Sequence, residues 1–265
     1  MSIFEKIELP NVKHIIAVAS GKGGVGKSTV STNLAVALSR QGFKVAIVDA
    51  DIYGPSVPKM FGEEKAKPSG VEVDGKEKIV PIEKYGVKMN SIGFYFDQSK
   101  GLMWRGPVAS GALQQLFEDT HWEDIDYMII DYPPGTGDIQ LTISQKVKPQ
   151  GVIVVTTPQE MALADARRAI NLFNTEPLTI PVLGIVENMS WFTPSIHPEE
   201  QYYIFGEGGG TKLAEETESE LLGQLPLVAE LGKAADNGMN VYLTNDTILA
   251  KKFDEIAIKV VEKLK

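Results

Sequence analysis

Residues 14–29 read HIIAVASGKGGVGKST: an apolar run, His14–Ala19, that breaks into glycines and then opens a segment, Lys27–Gln41. The run has the length and β-branching of a buried strand. Beyond the glycines, Leu34, Ala35, Val36 and Leu38 recur at helical spacing until Gly42 stops them. Strand, glycine loop and helix therefore follow one another. Working outward, further buried-strand signals stand at Lys44–Asp49, Val87–Ser91, Tyr127–Asp131, Gly151–Thr156 and Pro181–Asn188. Between them, helices are predicted at Pro107–Glu118, Ile139–Lys146, Met161–Asn174 and Thr211–Glu218, with a last one at Thr247–Leu264. Such alternation predicts an α/β fold, a mainly parallel twisted sheet with helices on both faces. Ligands of such sheets bind beyond the carboxyl ends of the strands.

The 265 residues, 43% of them apolar, suffice for one buried core, and the expectation is a single domain over 1–265. Lys65–Pro81 is polar and reads as an insertion, a small hairpin turning at Asp74-Gly75. Interleaved acids among its lysines favour a solvated loop over a docking patch.

Gly21, Gly26, Lys27 and Ser28 satisfy the Walker A spacing between strand and helix, so this is a P-loop. Glycines at 21, 23, 24 and 26, with Val25 among them, let backbone N–H groups converge on phosphate oxygens, and the helix adds its positive end. Lys27 is expected at the β and γ phosphates. Ser28 offers a hydroxyl to Mg²⁺, and Thr29 reaches the α-phosphate. Lys22 is an additional cation directly after the first glycine, suited to stabilising spread phosphoryl charge.

Carboxylates stand at two strand ends, Asp49 with Asp51 two residues on, and Asp131, followed by YPPGTGD. Strict alternation would aim Asp49 and Asp51 the same way. Asn188 ends another run, where its amide can donate to and accept from an adenine edge. Pro226 is a candidate border of the same ring.

GKGGVGKST resembles the deviant Walker A loop of the ATPases that include MinD, ParA, nitrogenase iron protein and the arsenite-pump ATPase. In that class the early lysine, here Lys22, reaches across a dimer interface to the partner's nucleotide. The resemblance makes Asp49 and Asp131 holders of Mg²⁺-bound waters and gives Asp51 the attacking water. Pro133, Pro134, Gly135 and Gly137 become a nucleotide-sensing switch. ENMS, around Asn188, takes the base-reading position.

Longer strings narrow the likeness: DADIYGPSVP, WRGPVASGAL, DYPPGTGDIQLT, TTPQEMALADARRAI, VENMSWF and IFGEGGG resemble the Mrp/ApbC branch of cytosolic iron–sulfur cluster carriers. The branch implies an ATPase working as a homodimer, or a heterodimer with a paralogue, and bridging a cluster through a CxxC motif from each subunit. Iron–sulfur client or scaffold proteins are its implied partners. Here the place just after Trp191-Phe192 reads TPSIHPEEQYYIFG, and the chain has no cysteine. Many members also carry a small N-terminal domain, whereas the first strand here begins at His14. The expectation is an ATPase domain alone, whose cluster step is altered, indirect or lost. His197 is a loop residue rather than a replacement ligand. Tyr202, Tyr203 and Phe205 are expected in packing or partner contacts.

Net charge is −9 and the pI is near 5.0, which argues against a broad nucleic-acid surface. No signal peptide and no apolar run near the ~20 residues of a membrane span is present, so a cytoplasmic location is expected. A MinD- or ParA-like positioning switch is the alternative function. Its membrane version needs a lipid-facing last helix, yet Ile248, Leu249, Phe253, Ile256, Val260 and Leu264 form a stripe better suited to the chain's own sheet. Lys251, Lys252, Lys259 and Lys263 are diluted by Asp254, Glu255 and Glu262, so no stable membrane association is expected. A small-metabolite kinase is disfavoured because no acceptor site is recognisable.

Overall fold

The computed structural model describes residues 6–96, 106–194, 196–244 and 246–265, with 106–110 given by their backbone alone. Trp104, Arg105 and Ser195, quoted above within longer strings, lie outside the described residues. Ten strands and eight helices follow one another among these residues. They begin β1 (Val12–Ala19), α1 (Lys27–Arg40), β2 (Val45–Asp49), α2 (Val57–Met60), β3 (Ser69–Val73), β4 (Lys76–Val80), β5 (Ile82–Lys84) and β6 (Val87–Ser91). The chain continues α3 (Gly106–Glu118), β7 (Ile125–Asp131), α4 (Asp138–Val147), β8 (Gly151–Thr156), α5 (Glu160–Asn174) and β9 (Val182–Glu187). It ends α6 (Gly209–Glu216), β10 (Leu221–Gln224), α7 (Ala229–Asp236) and α8 (Thr247–Lys263).

Eight strands make one sheet in the order β10-β9-β8-β1-β7-β2-β6-β5, parallel except for β5, which pairs antiparallel with β6. Burial on both faces explains why the central strands are almost wholly apolar. Their side chains separate with period two. Ile16, Val18, Ile47, Ile129, Ile153 and Val155 face one core with Leu34 and Leu38 of α1 and Phe253 of α8. Ala17, Ala19, Val48, Met128, Ile130 and Val154 face the other, with Leu116 of α3, Ile143 of α4, Ile170 of α5 and Leu213 of α6. The expected sheet with helices on both faces is what forms.

The last helix turns most of its stripe inward, with Leu264 packed at the core's edge, but Ile248 is 67% exposed and is corrected from a core residue to a surface one. Leu249, Phe253, Ile256 and Val260 are fully buried, each contributing roughly 1.5–3 kcal/mol as an upper estimate. Asp246 caps the helix by accepting from the Leu249 N–H at 2.8 Å. Among the described residues no helix is long and apolar enough to cross a membrane.

The polar segment forms the hairpin β3–β4, and both turn residues, Asp74 and Gly75, have positive φ (52° and 74°). It is tethered rather than free: the Ile79 N–H donates to the Asp119 carbonyl at 2.7 Å and the His121 N–H to the Ile79 carbonyl at 2.8 Å. Sequence periodicity misses α2, β5 and β10, each of four residues or fewer and too short for a periodic signal, and also the eight-residue α7.

Candidate functional site

β1 lies between β8 and β7, and its loop emerges where chain connections diverge to opposite sides of the sheet, the position at which open α/β sheets take ligands. The loop needs its glycines for two different reasons. A Cβ on Gly21 would run into the Asp165 backbone of α5. Gly26, which caps α1, has φ +87°, and a Cβ there would also strike the Asn188 amide.

Ser20, Lys22, Gly23, Gly24, Gly26, Lys27, Ser28, Thr29, Asp51 and Pro134 enclose a cavity of about 220 Å³ at the start of α1. Backbone N–H groups and the positive end of a fourteen-residue helix suit it to an anion. Val25 is 2% exposed with its side chain in the core, so only its backbone is available to a ligand.

Beneath this cavity Asp131 is fully buried at the end of β7 and accepts from three side chains of α1. Lys27 Nζ lies 2.8 Å and Ser31 Oγ 2.6 Å from Oδ1, while Ser28 Oγ lies 2.6 Å from Oδ2. Lys27 Nζ is also 3.1 Å from Ser28 Oγ. Asp49, equally buried, pairs in register with Asp131 on one side and Ser91 on the other. Its Oδ2 accepts from Ser91 Oγ at 3.0 Å and from the Val57 N–H at 3.1 Å. Burial, then the neighbouring Asp131 charge, pushes the Asp49 carboxyl well above the usual carboxylate range, against the pull of Lys27. Asp51 is also raised, chiefly by burial, with Lys27 opposing.

β2 ends at Asp49, which is held by Ser91 Oγ and the Val57 N–H, while Asp51 lines the cavity, and both carboxylates lie in the field of Lys27 and Asp131. The Asp51 N–H donates back to Asp49 Oδ1 at 3.2 Å.

Lys22 is half-buried in the cavity wall, its carbonyl accepting from Ser20 Oγ at 2.9 Å. Asn188, 7% exposed just past β9, donates its amide to the Val25 carbonyl at 2.9 Å, which braces the loop from behind. Pro226 does not line the phosphate cavity. It follows β10 between Leu225 and Leu227, whose backbones pair with Ser190 and Trp191 at 2.9 and 2.7 Å. His197 is an exposed loop residue 3.4 Å from Glu199 Oε1, and with Glu200 it forms the one group of metal-ligand spacing found among the described residues. Tyr202 and Tyr203 are 50% and 43% exposed, so they are surface rather than packing residues, and Phe205 is half-buried.

Ser31 and Ser91 were not legible as site residues. Ser31 stands one helical turn after Lys27, a spacing that puts both on one face. Ser91 had no signal beyond ending a strand.

The family model for ParA, described as NUBPL iron-transfer P-loop NTPase, matches residues 11–261. An iron–sulfur cluster carrier protein of Aquifex aeolicus is 46% identical over 96% of this chain and 69% of its own length. One from Pseudomonas fragi is 49% identical over 94% of this chain and 86% of its own length. A carrier of Escherichia coli K12 is 51% identical over 86% of this chain, which spans 60% of that protein. Among solved structures, a nucleotide-binding protein of Archaeoglobus fulgidus in complex with ADP is 40% identical with a TM-score of 0.74, over 86% of this chain and 87% of that one. The cell division ATPase MinD of Pyrococcus furiosus, 20% identical with a TM-score of 0.64, shares the fold. With the glycine loop, its lysine and the strand-end carboxylates in the arrangement described, the chain belongs to the iron-transfer P-loop NTPases of the ParA family.

Proposed function

We propose that this chain is a Mg²⁺-dependent ATPase of iron–sulfur cluster assembly or transfer, acting as a nucleotide-dependent dimer. The observation that carries the reading is the convergence of Lys27 and Ser28 on buried Asp131 beneath a glycine-lined cavity that Asp51 also enters.

The residues suit a hard divalent cation. Ser28, Asp131 and Asp49 are an oxygen-only set, and two fully buried carboxylates stand against one lysine, an excess of negative charge that Mg²⁺ would offset. When bound, the cation supplies charge neutralisation at the transferring phosphoryl group. The chain's own residues do the rest. Lys27 exchanges Asp131 for the β and γ phosphates, the loop N–H groups hold the phosphate oxygens, and Asp51 orients the attacking water. Lys22, with no carboxylate partner among the described residues, is the group available to a partner's nucleotide. Asn188 and Pro226 are the proposed contacts of the base.

The cluster is cargo that this chain cannot hold by thiolates, because it has none. The exposed His197, Glu199 and Glu200 form a nitrogen and oxygen set poorly matched to iron–sulfur chemistry. A cysteine-bearing paralogue, scaffold or client therefore supplies the ligands while this chain supplies the ATP-driven switch. Calorimetry with ATP and Mg²⁺, followed by phosphate release, tests the core of this reading. Absence of both binding and release would overturn it.

A further inference from the structure

Asp131 has three side-chain donors, and two of them have other work once nucleotide is bound. On the reading proposed above, Lys27 moves to the phosphates and Ser28 turns its hydroxyl oxygen to the cation. Ser31 has no such task. It is fully buried and does not line the phosphate cavity, and its Oγ lies 2.6 Å from Asp131 Oδ1. The same Oγ is 3.1 Å from the Lys27 carbonyl. One hydroxyl hydrogen cannot serve both acceptors. The shorter contact to the charged oxygen takes it, since charge-assisted bonds are the stronger. A serine inside a helix otherwise has no local advantage, because alanine has the better propensity and no competing hydroxyl.

We propose that Ser31 is the positioning residue of this site: it holds Oδ1 of Asp131 after Lys27 and Ser28 have left, so that Oδ2 stays turned toward the cation. The proposal rests on the ATP and Mg²⁺ reading. It makes Ser31 a determinant of cation affinity that never touches nucleotide or metal.

The test uses the full chain with Ser31→Ala and with Ser31→Cys, which keeps the volume but donates weakly. Mn²⁺ binding in the presence of ADP is followed by electron paramagnetic resonance, and ADP affinity is measured separately in EDTA. Both variants are expected to weaken Mn²⁺ roughly tenfold, the size set by losing a hydrogen bond to a charged group. ADP affinity in EDTA stays within about twofold of the unaltered chain, because the loop N–H groups and Lys27 are untouched. Unchanged Mn²⁺ affinity in both variants overturns the proposal. So does an equal loss of ADP affinity in EDTA, which is what general loosening of α1 would produce. If the unaltered chain binds neither ADP nor Mn²⁺ with ADP, the nucleotide reading fails first, and that result is distinguishable from failure at Ser31 alone.

Discussion

Asn188 and Val25 are joined by a hydrogen bond of 2.9 Å from the side-chain amide beyond β9 to the carbonyl inside the glycine loop. The donor of the expected base-reading residue is thereby engaged with the phosphate loop. Asn188→Ala leaves a buried carbonyl unpaired, a change of about 1–3 kcal/mol. ADP and GDP affinities are expected to fall together, roughly tenfold each, in parallel titrations. A selective loss for ADP alone would return Asn188 to direct contact with adenine.

Gly26 packs against the same amide with φ +87°. Gly26→Ala adds a Cβ in the left-handed region, at a cost of about 1–2 kcal/mol, and drives it into Asn188. Thermal melting should fall by several degrees and nucleotide binding should be lost. Gly24, also at positive φ but with open space around it, should lose less stability on the same change.

Lys27 is both the expected phosphate ligand and the buried cation beside Asp131 and Asp49. Lys27→Ala should therefore abolish turnover and also lower stability without nucleotide, by about 3 kcal/mol in urea unfolding, since it strands buried negative charge. Asp51→Asn separates the two roles. It should depress turnover with little change in affinity, because orienting water belongs to the reaction step.

Lys22→Ala should leave nucleotide binding by one subunit intact while weakening the ATP-bound dimer and its hydrolysis. Light scattering with ATP, alongside phosphate release, reads both. An undiminished dimer with undiminished turnover would make Lys22 an ordinary loop lysine.

Anaerobic reconstitution with iron and sulfide, followed by desalting and absorption spectroscopy, should leave no stable cluster on the chain alone. A stoichiometric cluster would shift attention to His197, Glu199 and Glu200.

The sequence by itself determined the central strands of the sheet and the chemistry of its loop. Periods of 2 and 3.6 are local, so β1, α1, β2, β7 and β8 were readable from runs such as His14–Ala19, and the spacing from Gly21 to Ser28 carries phosphate chemistry within eight residues. The missing cysteines were equally plain. Tertiary structure alone decided what lies around that loop. Asp131 meets Ser31 across 100 positions of sequence, Ser91 meets Asp49 across 42, and Asn188 reaches Val25 across 163. Each contact depends on which strands become neighbours, and neither a serine nor an asparagine announces its partner.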